Sequence, residues 1–183
     1  MQINDPAWPV IDGLILLQIP FLLTGSHASN YYGIPRSSQD TDLLVDLGQR
    51  SIADIEQRLP IGYRLDRQVE FETMTGTLKN VIHVAGTEHT IELFRLGNDA
   101  FHQERFRRRV KLLLCGREIW LPTVEDVIIQ KLRWGRSKDL DDVRDVLSVQ
   151  GDACDWNYIH HWCALHNTRG KLDELRKSLP RFD

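Results

Sequence analysis

Two carboxylates two residues apart, Asp40 and Asp42, stand at the head of an apolar run, Leu43-Leu44-Val45. On an extended strand, side chains at i and i+2 share a face, about 7 Å apart for a rise of about 3.3 Å per residue. Like charges so placed repel each other, and divalent cations between them would relieve the repulsion. Magnesium suits such a set, because it takes oxygen ligands, keeps several waters and shares substrate phosphates. Two such ions, about 3.5–4 Å apart, would activate an attacking oxygen and stabilise a leaving one. Upstream lies Gly25-Ser26. A glycine lets backbone approach a ligand closely. A serine at a helix start lies where free N–H groups and the helix dipole favour a phosphate. One half would hold metal, the other the triphosphate that brings it.

Other polar residues have competing readings. Asp46 shares the parity of Asp40 and Asp42 but lies at the far end of the strand, and reads as surface. Lys131, among Ile128, Ile129 and Leu132, reads on its neighbours as snorkelling from a helix. Lys138, Asp139, Asp142 and Asp145 share a helix whose apolar face is Leu140, Val143 and Leu147. That acidic face reads as solvated or locally ion-paired, with Asp142 or Lys138 shaping the site as the alternative. Arg105, Arg107, Arg108 and Arg109 form a basic run. It is either a solvated strand edge or a local patch for a phosphate backbone. His160, His161 and His166 lack acidic partners and read as core or surface, and Trp134, Trp156 and Trp162 as packing between helices.

The elements that must position these groups follow from periodicity and punctuation. A first helix starts at Asn4 or Asp5 with Pro6 and runs to about Gln18. After Pro20 comes a short strand, Phe21-Leu22-Leu23, then a helix from about His27 to Tyr32, ended by Gly33 and Pro35. Asp40 to Leu47 reads as a strand, and Ser51 to Leu59 as an amphipathic helix. Val81–Val84 and Thr90–Phe94 read as paired strands turning at Gly86-Thr87, and Val110–Leu114 with Glu118–Leu121 as a hairpin around Cys115-Gly116. Pro122-Thr123 opens the first of four helices, expected over Val124–Trp134, Lys138–Val149, Trp156–His166 and Lys171–Leu179, with Thr123 as N-cap. The chain therefore divides into an α/β part, residues 1–121, and a helical region, 122–183, packed on it.

The composition is that of a folded protein: 183 residues, 42% hydrophobic and 27% charged, with a formal net charge of −3. A chain that binds nucleic acid by bulk charge is basic, so any such contact here is local. Cys115, Cys154 and Cys163 form no CxxC pair and no zinc spacing. Their odd number, and the lack of a charged leader before an apolar stretch at Met1-Gln2-Ile3-Asn4-Asp5, point to a reducing cytoplasm. The apolar run Val10–Leu23 is broken by Asp12, Gln18 and Pro20, and is shorter than the roughly 20 residues a bilayer demands. No membrane association is expected.

Gly25-Ser26, a spacer, and Asp40-x-Asp42 before Leu43-Leu44-Val45 resemble the signature of the polymerase β-like nucleotidyltransferase superfamily. Tyr32-Gly33-x-Pro35-Arg36 resembles its small bacterial members, the abortive-infection toxins and minimal antitoxin transferases. Glu125-Asp126-Val127 to Lys131-Leu132, then Arg136-x-Lys138-Asp139-x-x-Asp142-Val143, resembles the helical region behind many such catalytic domains. The likeness covers most of residues 20–150. It implies an α+β fold, a nucleotidyltransferase-like mixed sheet flanked by helices with a C-terminal helical region. It implies a metal-dependent enzyme moving a nucleoside monophosphate from an NTP to an acceptor hydroxyl. Asp40, Asp42 and Glu92 would hold Mg2+ (two ions, or Mn2+), with Glu92, in Ile91-Glu92-Leu93, as the third carboxylate ahead of Asp66. Much of the superfamily has Asp where Glu92 stands. Gly25, Ser26, Arg36 and Lys131 would bind nucleotide, Lys131 also serving catalysis. The acceptor is expected to be a macromolecule, RNA or protein, and the setting a toxin–antitoxin pair or phage defence. The alternative is a silent transferase fold acting as an antitoxin-like binding partner.

Overall fold

The computed structural model describes residues 1, 3–73 and 76–179. The N-terminal half is built as helix α1 (Trp8–Leu16), strand β1 (Phe21–Leu23), α2 (Gly25–Tyr32), β2 (Asp40–Val45) and α3 (Ile52–Glu56). Strands β3 (Tyr63–Leu65), β4 (Glu70–Glu72), β5 (Thr77–Val84) and β6 (Thr90–Arg95) follow, then α4 (Ala100–Arg107). A hairpin of β7 (Val110–Leu114) and β8 (Arg117–Leu121) leads to α5 (Val124–Trp134), α6 (Ser137–Gln150), α7 (Trp156–Leu165) and α8 (Arg169–Ser178).

The main sheet is mixed and has the order β1-β2-β6-β5-β3, with β4 also on β5. Among the described residues only β2 and β6 pair in parallel; the other main-sheet pairs are antiparallel. This is the α+β class expected from the sequence. Alternation along β2 sorts its two faces. Leu43 and Val45 enter the main core with Ile91, Leu93 and the buried faces of α1 and α5. Leu44 turns the other way, into a small cluster with Leu22 and Phe106. Asp40 and Asp42 share the parity of Leu44, so they stand where that second face opens.

Several elements depart from expectation. Helix α1 begins at Trp8, because the Asp5 carboxylate accepts from the Ala7 N–H at 2.9 Å, and it ends before Gln18, whose φ is +56°. Helix α2 begins two residues early, so Gly25 and Ser26 form its first turn. Helix α3 stops at Glu56, short of Leu59, which precedes Pro60 and is disfavoured in helical conformation there. Strand β5 starts at Thr77 and is lengthened by pairing with β4. The basic run is not a strand edge: it lies on α4 and just after it, and Asp99 caps that helix by accepting from the His102 N–H at 3.1 Å.

The helical region packs against the sheet. Thr123 caps α5, and Gly135, at φ +66°, closes it, so α6 starts two residues later. The Tyr32 hydroxyl donates to the Pro122 carbonyl at 2.8 Å. Gly33 lies against α6 so closely that a Cβ there would stand 2.9 Å from the Val146 nitrogen. Trp162 meets Phe101 edge-on at 5.1 Å, and Trp156 lies under Arg176, as packing residues do. All three cysteines are free thiols. Among the described residues no helix is long and apolar enough to cross a membrane.

Candidate active site

The site begins with a close approach between two chain segments. The Thr24 N–H donates to the Asp42 carbonyl at 2.9 Å, extending the β1–β2 ladder to the start of α2. Gly25 then turns at φ +61° against the Asp42 side chain, and a Cβ on it would lie 2.6 Å from the Asp42 carboxyl carbon. Only glycine fits. The turn sets the first N–H groups of α2 beside the carboxylate strand. They lack intrahelical partners, and no side chain caps them. A phosphate is the natural ligand of such an end.

A cavity of about 290 Å³ opens here. Ser26, Asp40, Asp42, Glu92, Arg36 and Lys131, all singled out in the sequence, line it. Asp42 and Glu92 are direct partners across the parallel β2–β6 ladder. Burial first, and Glu92 second, push the Asp42 carboxyl up to about 6. Asp40 is exposed and accepts from the Thr90 hydroxyl at 2.8 Å. Glu92 is engaged: Lys79 lies 2.7 Å from it and 3.2 Å from Glu70. Against its own burial, these hydrogen bonds hold the Lys79 ammonium above its ordinary range. Among the described residues, no three His, Cys, Asp or Glu side chains converge closely enough to hold a cation. The lining carboxylates are nonetheless oxygen ligands, and the repulsion that Glu92 exerts on Asp42 is what a hard divalent ion would relieve. Asp46 bonds the Gly48 N–H, and Asp66 the Gln68 N–H; neither lines the cavity.

The opposite wall is cationic, and α6 supplies the two carboxylates, Asp139 and Asp142, that anchor it. Lys131 is buried, its ammonium 2.6 Å from Asp142 and 3.2 Å from Asp139. Arg36 forks onto Asp142 at 2.7 and 3.0 Å, and Arg136 onto Asp139 at 2.6 and 3.2 Å. The Ser29 hydroxyl meets Asp142 at 3.2 Å and the Gly25 carbonyl at 3.0 Å. Burial raises Asp142, but the hydrogen bonds from Arg36 and Lys131 outweigh it and hold the carboxyl below its usual range. The acidic face of α6 is therefore no solvated stripe: Asp139 and Asp142 are buried, and they anchor the wall. Three cations share two carboxylates, and Lys138, without an ion pair among the described residues, adds a free charge. The net positive side faces the start of α2.

Sequence reasoning missed Lys79, Glu72, Arg136, Phe94 and Trp134, which also line the cavity. Trp134 forms part of the wall, with the Lys131 ammonium 5.3 Å and the Arg136 guanidinium 5.1 Å from its ring. Glu72 and Lys79 sit on β4 and the early part of β5, where alternating polar residues read as loop. The basic run, by contrast, is spent internally. Arg105 is buried; Arg107 pairs with Glu104; Arg108 stacks on Tyr158 at 3.8 Å; Arg109 donates to the Phe106 carbonyl.

No family model matches the sequence, and no curated protein matches it. Solved structures do match the fold. The crystal structure of ANT(2'')-Ia with adenylyl-2''-tobramycin superposes with a TM-score of 0.60 at 13% identity, over 88% of this chain and 94% of that one. The solution structure of the antibiotic-resistance factor ANT(2'')-Ia gives 0.58 at 12%, over 92% and 93%. An antigenic nucleotidyltransferase-like protein from Paracoccidioides brasiliensis gives 0.55 at 17%, over 94% and 92%. The chain has the nucleotidyltransferase fold.

Proposed function

We propose that the chain is a nucleotidyltransferase, moving a nucleoside monophosphate from an NTP to an acceptor hydroxyl and releasing pyrophosphate. The observation that carries this reading is the fit of Gly25 against Asp42, which locks a phosphate-ready helix start to a carboxylate strand. In the reaction the acceptor oxygen bonds to the α-phosphorus, and the bond from that phosphorus to the β-phosphate oxygen breaks. Ser26 and the first amides of α2 hold the outer phosphates, and Lys138 and Arg136 balance their charge. Phe94 and Trp134 offer ring faces to the base. Glu92 takes the acceptor proton once it leaves Lys79. Asp40, Asp42 and Glu92 are the residues that would hold Mg2+ or Mn2+, which when bound neutralises developing charge on the phosphates. The chain's own contribution is positioning and fixed charge.

The proposed acceptor is a small hydroxyl compound. Of the arginines that would have favoured a macromolecule, Arg105, Arg108 and Arg109 are engaged within the fold and only Arg107, paired with Glu104, stands in solvent, and the ANT(2'')-Ia structure holds adenylyl-2''-tobramycin. The test incubates the protein, Mg2+ and each α-labelled NTP with a cell extract fractionated by size. Label moves to the small-molecule fraction, and Asp40→Asn and Asp42→Asn each abolish it. Wild-type transfer in either variant sinks the assignment; label on RNA or protein sinks the acceptor alone.

A second reading has one observation behind it: Glu92 is held by Lys79, away from any cation site. On that reading the fold is a silent, protein-binding partner. Melting temperature in Mg2+ with each NTP separates the two. A marked rise with one nucleotide supports the enzyme, and none with any supports the partner.

A further inference from the structure

Behind the Phe94–Trp134 side of the active cavity lies a second, much smaller one of about 10 Å³, room for a single water-sized occupant. Helix α4 supplies His102 and Arg105, α5 supplies Gln130 and Trp134, and Leu44 and Phe94 form the apolar wall. We propose that it is a built site for a monatomic anion of the halide class, chloride being the natural occupant. This inference is independent of the transfer reaction.

The first ground is charge. Arg105 is 4% exposed, yet it has no carboxylate within ion-pair distance among the described residues. Its one hydrogen bond, at 3.0 Å, goes to the neutral Gln130 oxygen, while Asp126 and Asp99 act on it only from farther off. A buried guanidinium so placed is costly unless something negative compensates it.

The second ground is the kind of groups left over. The Arg105 Nε, Gln130 Nε2 and Trp134 Nε1 atoms are buried without partners, and all three are donors. Gln130 cannot reverse its amide without losing the bond from Arg105, because its oxygen accepts there. Both His102 nitrogens are also unpartnered, and burial foremost, then Arg105, lowers this ring to about 4, so at neutral pH it is uncharged. A neutral imidazole adds one donor and one acceptor. The Thr24 hydroxyl, also on the wall, can donate or accept. Among the unpartnered nitrogens donors outnumber acceptors, which suits an occupant that accepts from all of them better than a water, which must also donate two protons. An anion uses donors alone and also neutralises Arg105. Donor and acceptor atoms on side chains as buried as Gln130, 3% exposed, and His102, 2%, are rarely left without partners in folded proteins.

The test has two arms. Crystals soaked in sodium bromide are examined for anomalous signal, and melting is followed as sodium chloride replaces sodium gluconate at constant ionic strength. The expected result is a bromide peak in contact with the Arg105 and Trp134 nitrogens, and a saturable rise in melting temperature with chloride. Trp134→Phe removes one donor together with part of the indole ring, leaving Arg105, Gln130 and His102 in place. It should weaken the peak at equal dose and shrink the chloride-dependent shift, so the outcome does not hang on an Arg105 variant that fails to fold. No anomalous peak in the cavity, equal melting in the two salts, or a Trp134→Phe response equal to wild type each overturns the proposal.

Discussion

Replacing Gly25 by alanine would test the geometry on which the active site rests. Two costs arise. The backbone at φ +61° is left-handed, and an L residue there loses about 1–2 kcal/mol. The new methyl would also stand 2.6 Å from the Asp42 carboxyl carbon and 3.0 Å from its Cβ, so Asp42 must leave its rotamer, at about 0.5–1.5 kcal/mol. Together these come to about 1.5–3.5 kcal/mol. For a domain of this size, at about 2–4 °C per kcal/mol, melting should fall by roughly 3–14 °C. Transfer should vanish, since the displaced carboxylate is the one the site is built around. A double-mutant cycle separates the two costs. In an Asp42→Ala background the carboxylate is gone, and the backbone cost and the tight contact with the residue-42 Cβ stay, so Gly25→Ala should be cheaper there by about 1 kcal/mol, the rotamer cost of displacing the carboxylate. Urea unfolding of the four proteins gives the number. Equal cost in both backgrounds would refute the contact.

Other perturbations probe the walls. Lys79→Met frees Glu92, sparing it a charge-assisted hydrogen bond of about 1.5–3 kcal/mol. Mn2+ titration should then show roughly 10–100-fold tighter binding, and unchanged affinity would remove Glu92 from the ligand set. Lys131→Met leaves Asp139 and Asp142 short of a buried cation and should cost about 3–5 kcal/mol in urea unfolding. A loss of only about 0–1 kcal/mol, typical of exposed pairs, would contradict the burial seen here. His102 is lowered from 6.5 to about 4, chiefly by burial. A depressed histidine stabilises the fold fully above pH 6.5, and that contribution is lost as pH falls toward 4, at most about 3 kcal/mol. Stability measured between those pH values should therefore slope less steeply in His102→Leu than in wild type, and identical slopes would refute the assignment.

The legible parts of this chain were those whose local chemistry agrees with their final place. Asp40-x-Asp42 before an apolar strand, Thr123 before α5, and the Cys115-Gly116 turn, both residues at positive φ, each carry their own signal. Helix α4 was missed although Asp99 caps it, because four arginines obscured the apolar pair Phe101 and Phe106. Strand β4, Glu70-Phe71-Glu72, has no buried residue to mark it and owes its form to β5. Asp142 looked like part of a solvated face because two of its partners, Arg36 and Ser29, lie about a hundred residues earlier in the chain. Local pattern carries no trace of such a pairing. Glu92 was placed by resemblance, and its register opposite Asp42 came only with the sheet.

The span from Arg36 to Asp142 has a consequence for how the protein comes into being. Translation delivers β1, α2 and β2 early, and Gly25 can close on Asp42 as soon as these have formed. Arg36 and Lys131 then wait, two cations without counter-ions, until the ribosome has made α6. A nascent chain halted at Trp134 would display the carboxylate strand with no ordered positive wall facing it. The cationic wall is thus completed late, by the arrival of Asp139 and Asp142 on α6.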